Sequence, residues 1–456
     1  MNKKYDLTQG SILKGVTLFA IPLCIGNILQ QLYNTADALI IGNFCDTSSL
    51  AAVGTSSQPV EIILCLFMGL SSAVTILVSQ CVGSGDKERL KKIVVTAVSF
   101  LYICSIILTI VGILLTPFIL KLMQVQIDAY NKAVIYVTIV FLGTLGNLGY
   151  NINAGILRGV GDSRSTLKFL FVSSFINIIL DLLFVGIMDM DVAGAALATT
   201  FAMYVSWLSS IIYIRNRHCD LNLPLFPGKL DTSILKELVS KGVPLGLNSS
   251  IYSFGHLLIQ SLVNMQGTTF VAGFTIATKL TGICKFANAA YASAATTFAG
   301  QNKGACNYPR LKKGVIVISF AAGIIMFITG IIGTIFSRPI LSLFTDDPLA
   351  LDYAVRYIWI VLPTFWTFAV FSVLVHYTNG IGVVKYPTII NLLMLWAIRI
   401  PVSYAIDYFY DGTYFMFSMP INYIFGLLCM FAYFIFSKQW KEVCNLAKNE
   451  TCIDTK

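Results

Sequence analysis

Twelve stretches of about twenty or more mostly apolar residues follow one another along the chain. They lie near 12–41, 51–80, 93–116, 132–157, 166–188, 192–214, 236–263, 270–300, 314–336, 353–378, 387–407 and 413–437. An α-helix needs about 20 such residues to cross the hydrocarbon core of a bilayer. Runs longer than about 25 residues fit by tilting or by extending into the interface. The expectation is an all-α polytopic membrane protein with twelve transmembrane helices. Composition agrees: 56% of the 456 residues are hydrophobic and 12% charged, about half the ~25% charge of a soluble domain. A soluble fold of this composition would expose large apolar areas and aggregate. Soluble enzymes, nucleic-acid binders and secreted disulfide scaffolds are thereby excluded. The eleven cysteines form no C-x-x-C pair. Cys65, Cys104 and Cys429 lie in apolar runs and read as small membrane-core residues. Residues 1–10 are polar and the first apolar run contains Pro22, so no cleavable signal is expected.

Lys and Arg sort by side. Twenty-four of the 31 fall at the amino terminus, in the even-to-odd loops (Lys87 to Lys92, Arg158 to Lys168, Arg215 to Lys241, Lys303 to Lys313, Lys385) and at the carboxyl terminus. The opposite face has little beyond Lys121, Lys132 and Arg338. The positive-inside rule puts both termini in the cytoplasm and accounts for the net charge of +9 without a nucleic-acid partner. The expected location is the plasma membrane.

The two halves of the chain are copies. At an offset of 221, Gln80, Gly83, Arg89, Leu90, Lys91 and Lys92 match Gln301, Gly304, Arg310, Leu311, Lys312 and Lys313. Ala133, Val134 and Tyr136 match Ala354, Val355 and Tyr357; Gly159 and Gly161 match Gly380 and Gly382. Pro22 matches Pro244 with one residue of slip. Six spans per copy is an even number, so both copies enter the membrane the same way, as a parallel repeat about the membrane normal. Substrate sites in such proteins lie between the halves. The expected lobes are 1–215 and 234–456, joined by the polar linker 216–233.

With the residues in view, a resemblance becomes specific. The two six-helix halves, Pro22 with Asp37-Ala-Leu-Ile-Ile-Gly42, the Gln-x-x-Gly loop at Gln80 and again at Gln301, Arg158-Gly-Val-Gly-Asp162 and Asn177-x-x-x-Asp181 resemble the multidrug and toxic compound extrusion (MATE) family over the whole chain. The resemblance implies secondary active efflux of amphipathic, cationic compounds by alternating access, driven by inward sodium or proton flow. No cofactor is expected, and the chain is expected to act as a monomer.

Ionisable groups inside a bilayer are costly and mark functional sites. Asp37, Asp181 and Thr199 each fall five to eight residues from the outer end of a span, about 8–12 Å deep at ~1.5 Å per residue. Asn177 lies one helical turn from Asp181, on the same face. These oxygen-bearing groups suit a small hard cation, or two carboxylates sharing a proton; otherwise they join helices through hydrogen bonds. The resemblance carries the cation role onto the same four positions, with sodium at Asp37, Asn177 and Asp181. The second copy has Ile259, Ile398, Val402 and Pro420 there, so a single cation site in the first lobe is expected. Glu61 and, in the repeat-equivalent span, Lys279 and Lys285 sit mid-span and are candidates for a pair across the cleft. Arg399 is expected to pair with backbone carbonyls, and His256 and His376 to be satisfied core residues. Tyr33, Met68, Tyr252, Phe286, Tyr291 and Phe365 are candidates for an adaptable apolar wall around the substrate.

Rival classes find less support. There is no H-E-x-x-H and no G-x-x-x-x-G-K-[ST] phosphate cradle, which argues against a membrane enzyme and against an ATP-driven pump. No selectivity-filter pattern suggests a channel. The alternative is a flippase for a lipid-linked precursor, built on the same two-lobed plan.

Overall fold

The computed structural model describes residues 6–123 and 125–453, without the side chains of residues 47, 57–59, 61, 62, 66, 122 and 449–453. Among the described residues there is no strand. The first copy contributes α1 (Ile12–Phe44), α2 (Thr47–Ser84), α3 (Lys87–Leu122), α4 (Ile127–Leu142), α5 (Thr144–Val160), α6 (Ser163–Asp181) and α7 (Asp191–Arg217). The second contributes α8 (Thr232–Met265), α9 (Thr268–Gly304), α10 (Tyr308–Ile335), α11 (Ser337–Leu341), α12 (Pro348–Val361), α13 (Phe365–Gly380), α14 (Lys385–Leu393), α15 (Ile400–Phe409), α16 (Ser418–Phe436) and α17 (Lys438–Ile453). π-helical turns, Leu182–Ile187 and Met394–Arg399, extend α6 and join α14 to α15.

Among the described residues ten helices are long and apolar enough to cross a membrane, and α4 with α5, bent by 44°, makes an eleventh. The twelfth expected span is α8. That helix has 34 residues, but Asn248, Ser249, Ser250, Ser253, His256, Gln260, Ser261 and Asn264 dilute its apolar face. α17 was not expected from the run of apolar residues. It is amphipathic and buries Trp440, Val443 and Ala447.

The repeat is visible in the joints. Gly85 (φ +71°) and Cys306 (φ +55°) are both left-handed, and each precedes a capping residue. Asp86 accepts the Arg89 amide at 2.9 Å, and Asn307 accepts the Arg310 amide at 3.2 Å. Such caps satisfy orphan amides of a helix first turn. Gly161 (φ +99°) and Gly382 (φ +94°) form a second equivalent pair. The break at Gly143 corresponds to the 3-10 turn Leu362–Thr364.

Packing divides the chain into two compact units that do not follow the expected boundary in the 216–233 linker. One unit is Ile25–Leu247; the other is Met1–Cys24 together with Asn248–Lys456. Each unit therefore takes in the leading segment of the other copy. Equivalent Arg residues hold these segments. Arg89 pairs with Glu237 at the start of α8 at 2.8 Å, and Lys241 supports the same carboxylate at 2.7 Å. Arg310 donates to the Gly10, Gln9 and Leu7 carbonyls at 2.7, 2.9 and 3.2 Å. Gln301 Oε1 accepts the Leu7 amide at 3.0 Å. Close approach does the rest. A side chain at Gly69 in α2 would collide with the α8 backbone at Gly242 and Gly246. In lipid, where transfer from water does not drive helix association, such contacts supply the packing energy. Leu7, Val16 and Phe19 are buried with Phe298, Leu311 and Tyr377 in one core, whereas Ile234 and Leu238 join Leu77, Ile93 and Ile156 in the other. The linker is strapped to α3, with the Gly228 amide on Ser99 Oγ at 2.8 Å and the Tyr102 hydroxyl on the Leu225 carbonyl at 2.6 Å.

Candidate functional site

The Ile25–Leu247 unit assembles the expected residues from three helices. The register of α6 is fixed at its start by Asp162, which accepts the Ser165 amide at 3.1 Å and is itself fully buried. Burial pushes the Asp162 pKa up, but hydrogen bonds from His218, Ser165 and Tyr213 outweigh it and hold the carboxyl below its ordinary value. From that anchor α6 carries Asn177 and then Asp181, both 0% exposed. Immediately beyond Asp181 the helix widens into its π-helical turn, with the Met188 amide reaching the Leu183 carbonyl at 2.9 Å. Such turns recur at functional sites. Asn177 Nδ2 donates to Thr199 Oγ1 of α7 at 3.3 Å. Asp37 of α1 brings its carboxyl against that of Asp181.

Four oxygens in this cluster are buried and lack a hydrogen-bond donor: Asp37 Oδ1, Asn177 Oδ1 and both carboxyl oxygens of Asp181. A buried acceptor without a donor costs about 1–3 kcal/mol, and more if charged. Four in one place form an acceptor set matched to a positive charge. Asp37, Asn177 and Asp181 fit a sodium ion as oxygen ligands, and the two facing carboxyls fit a shared proton.

Two tyrosines complete the site. Tyr33, one turn before Asp37 on α1, and Tyr136 of α4 lie within electrostatic reach of Asp37 and Asp181. Sequence reasoning put Tyr33 in a substrate wall and passed over Tyr136. The i, i+4 spacing of Tyr33 and Asp37, and the place of Tyr136 in the repeat match, were the available signals.

The second unit has a different cluster. Ile259 is buried among apolar side chains, while Arg399, at the end of the second π-helical turn, is 4% exposed. Its expected pairing with backbone carbonyls is not what the structure has. Nη1 lies 3.5 Å from His256 Nε2, and Nε has no partner. Guanidinium geometry, with five donors in a rigid fork, finds few acceptors on the inner faces of helices, whose carbonyls are already bonded.

Tyr252 packs edge-on against His256, with ring centroids 4.9 Å apart. Lys279, Lys285 and Met68 are exposed and Phe286 is half-buried. Tyr291 and Phe365 are core residues rather than wall residues, and Tyr291 shares a 3.0 Å hydrogen bond with Thr17. His376 donates through Nδ1 to the Ser372 carbonyl at 2.8 Å. The side chain of Glu61 lies outside the described residues, and with it the expected pair to Lys279 or Lys285.

The MatE family model matches residues 22–183 and again 244–405, two copies at the spacing of the internal repeat. The chain is 28% identical to the Bacillus subtilis protein named "Probable multidrug resistance protein YpnP", over 97% of this chain and 98% of the relative. It is 26% identical to a second Bacillus subtilis protein of that description, YoeA, over 96% and 97%. The crystal structure of a MATE protein in complex with MaD3S shares the fold, with a TM-score of 0.89 at 23% identity, over 98% of this chain and all of that one.

Proposed function

The chain belongs to the MatE family of multidrug efflux transporters, and from that premise we propose that it is a secondary active antiporter. It exports amphipathic, cationic drugs or metabolites in exchange for sodium or protons, by alternating access of two lobes. It works without a cofactor, as a monomer in the plasma membrane with both termini in the cytoplasm, the orientation that the Lys and Arg bias favours. The observation that carries the reading is the set of four donor-less buried oxygens on Asp37, Asn177 and Asp181. Fixed acceptors in a low dielectric bind a cation strongly and release it only when the site is opened or neutralised, which is what coupling requires. Thr199 positions Asn177 through its hydroxyl, so that the amide oxygen remains free for the ion. The test is ethidium efflux from vesicles with sodium and pH gradients imposed one at a time. Efflux that persists with both gradients collapsed defeats the coupling.

Flipping of a lipid-linked precursor is the second reading, favoured by the exposed Lys279 and Lys285, which suit a phosphate headgroup. Drug protection in cells whose lipid-linked precursors are unaffected separates the two.

A further inference from the structure

We propose that the Asn248–Lys456 part of the second unit carries an anion-binding site centred on Arg399, which takes the carboxylate or phosphate group of the transported compound. The site stands on the burial and unmet hydrogen bonding of Arg399; the identity of its occupant as cargo rests on the transport reading above.

Arg399 is a buried guanidinium. Among the described residues it makes no ion pair, its Nε is without an acceptor, and Nη1 meets a histidine nitrogen at 3.5 Å. A buried charge that lacks a counter-charge is costly, and the donors of an arginine match the oxygens of a carboxylate or phosphate two at a time. The surroundings add positive charge. Arg399 acts electrostatically on both His256 of α8 and Lys285 of α9. Lys285 is exposed, His256 half-buried and Arg399 buried, so cationic and imidazole groups lead inward from an accessible end to a protected one.

Two phenols offer further donors. The Tyr357 hydroxyl lies 3.2 Å from Met419 Sδ and the Tyr423 hydroxyl 3.8 Å from the same sulfur. A thioether is a weak acceptor, and an anionic oxygen would draw either hydroxyl from it. Both are within electrostatic reach of Arg399.

Position makes the case independently of composition. Tyr357 is the repeat counterpart of Tyr136, which lies within electrostatic reach of the two aspartates of the first unit. The π-helical turn that ends at Arg399 sits in the second copy's counterpart of the span whose π-helical turn begins after Asp181. The second unit has reversed the sign of the buried charge: acceptors without donors in one copy, a guanidinium Nε without an acceptor in the other. A zwitterionic compound, carrying an anionic group as well as a cationic one on its apolar body, is the cargo this selects.

The test uses the full-length protein in dodecyl maltoside, with phenyl phosphate as the probe and titration calorimetry as the readout. Wild type is expected to bind, Arg399→Gln to lose at least about thirtyfold in affinity, and Arg399→Lys to lose less, because it keeps the charge but not the fork. Lys285→Gln, on an exposed position that folding tolerates, is expected to weaken binding roughly threefold to tenfold; it keeps the proposal open to refutation should Arg399→Gln fail to fold. No binding by wild type, or equal binding by wild type, Arg399→Gln and Lys285→Gln, overturns the site. Repeating the titration in nanodiscs separates the sources. Equal affinity in phosphatidylcholine and phosphatidylglycerol discs supports cargo, whereas competition by phosphatidylglycerol overturns the cargo assignment in favour of a lipid headgroup. Gradient-driven ethidium efflux, measured on the same variants, tells the two readings apart. Gradient-dependent efflux with binding indifferent to residue 399 sinks the anion site alone. Residue-399-dependent binding without gradient dependence sinks antiport alone.

Discussion

The two copies in this chain share joints and caps and each has a π-helical turn in its fifth span, yet their buried polar centres have opposite sign. In the first, Asp37 and Asp181 meet, and with Asn177 they hold four unpartnered oxygens. In the second, Ile259, Ile398, Val402 and Pro420 occupy the matching sequence positions, and the buried charge is Arg399. Backbone features such as Gly161 and Gly382, or Asp86 and Asn307, were held in both copies because the helices cannot turn or begin without them. Side chains at the centre are under no such geometric demand, and there the copies diverged. Duplication of a fold is thus a duplication of frame, and specialisation is a matter of which charges are placed inside it.

The comparison is most exposed to failure at the aspartates. Asp37→Asn and Asp181→Asn should each reduce gradient-driven dye efflux to background while surface expression and insertion stay normal. Asn keeps the shape and one acceptor but removes the charge that a cation needs in a low dielectric. Normal transport by Asp181→Asn would end the single-site account. Asn177→Ala removes one neutral oxygen and should weaken the apparent affinity for the coupling ion about tenfold, read from the ion dependence of efflux; a loss as complete as that of the aspartates would mean that Asn177 holds the helices rather than the ion. The clamps come next. Arg310→Ala loses three hydrogen bonds to main-chain carbonyls and should lower stability by about 1–3 kcal/mol. Arg89→Ala loses a half-exposed ion pair and should lower it by no more than about 1 kcal/mol. Thermal unfolding of the two variants in detergent ranks them, and the reverse order would show that the copies carry their clamps differently from what the contacts say. Smallest of all, Ile259→Leu and Val402→Ile should change neither efflux nor stability by more than about 1.5 kcal/mol equivalent. Efflux assays that find either position as sensitive as Asp181 would restore a symmetric site.

Most of the fold was legible because lipid imposes long apolar runs, and these register in one dimension. The repeat was legible for the same reason: its offset aligns turn and cap residues that local backbone geometry demands. Asp37, Asn177, Asp181 and Thr199 could be gathered from depth and helical spacing. What escaped depends on contacts between helices. Tyr136 of α4 comes within electrostatic reach of the aspartates on α1 and α6 only through the packing of the helices. Arg399 was assigned to carbonyls because its neighbours His256 and Tyr423 lie on other helices, 143 residues away in the case of His256. α17 was missed because its apolar residues recur with helical spacing, not in a run.

The exchange of leading segments has a consequence for how the chain is made. Residues 7–10 leave the ribosome early, but Gln301, which accepts the Leu7 amide, follows 294 residues later. At about 5–20 residues per second the wait is roughly 15–60 s. Throughout it the first half of α1 is synthesised and without its partners, while the Ile25–Leu247 unit, which needs only the opening turns of α8, can close. A nascent chain halted between α8 and Arg310 therefore presents one finished body and one dangling strip whose carbonyls at Leu7, Gln9 and Gly10 have no guanidinium to receive. Completion of the second copy is what retires that strip.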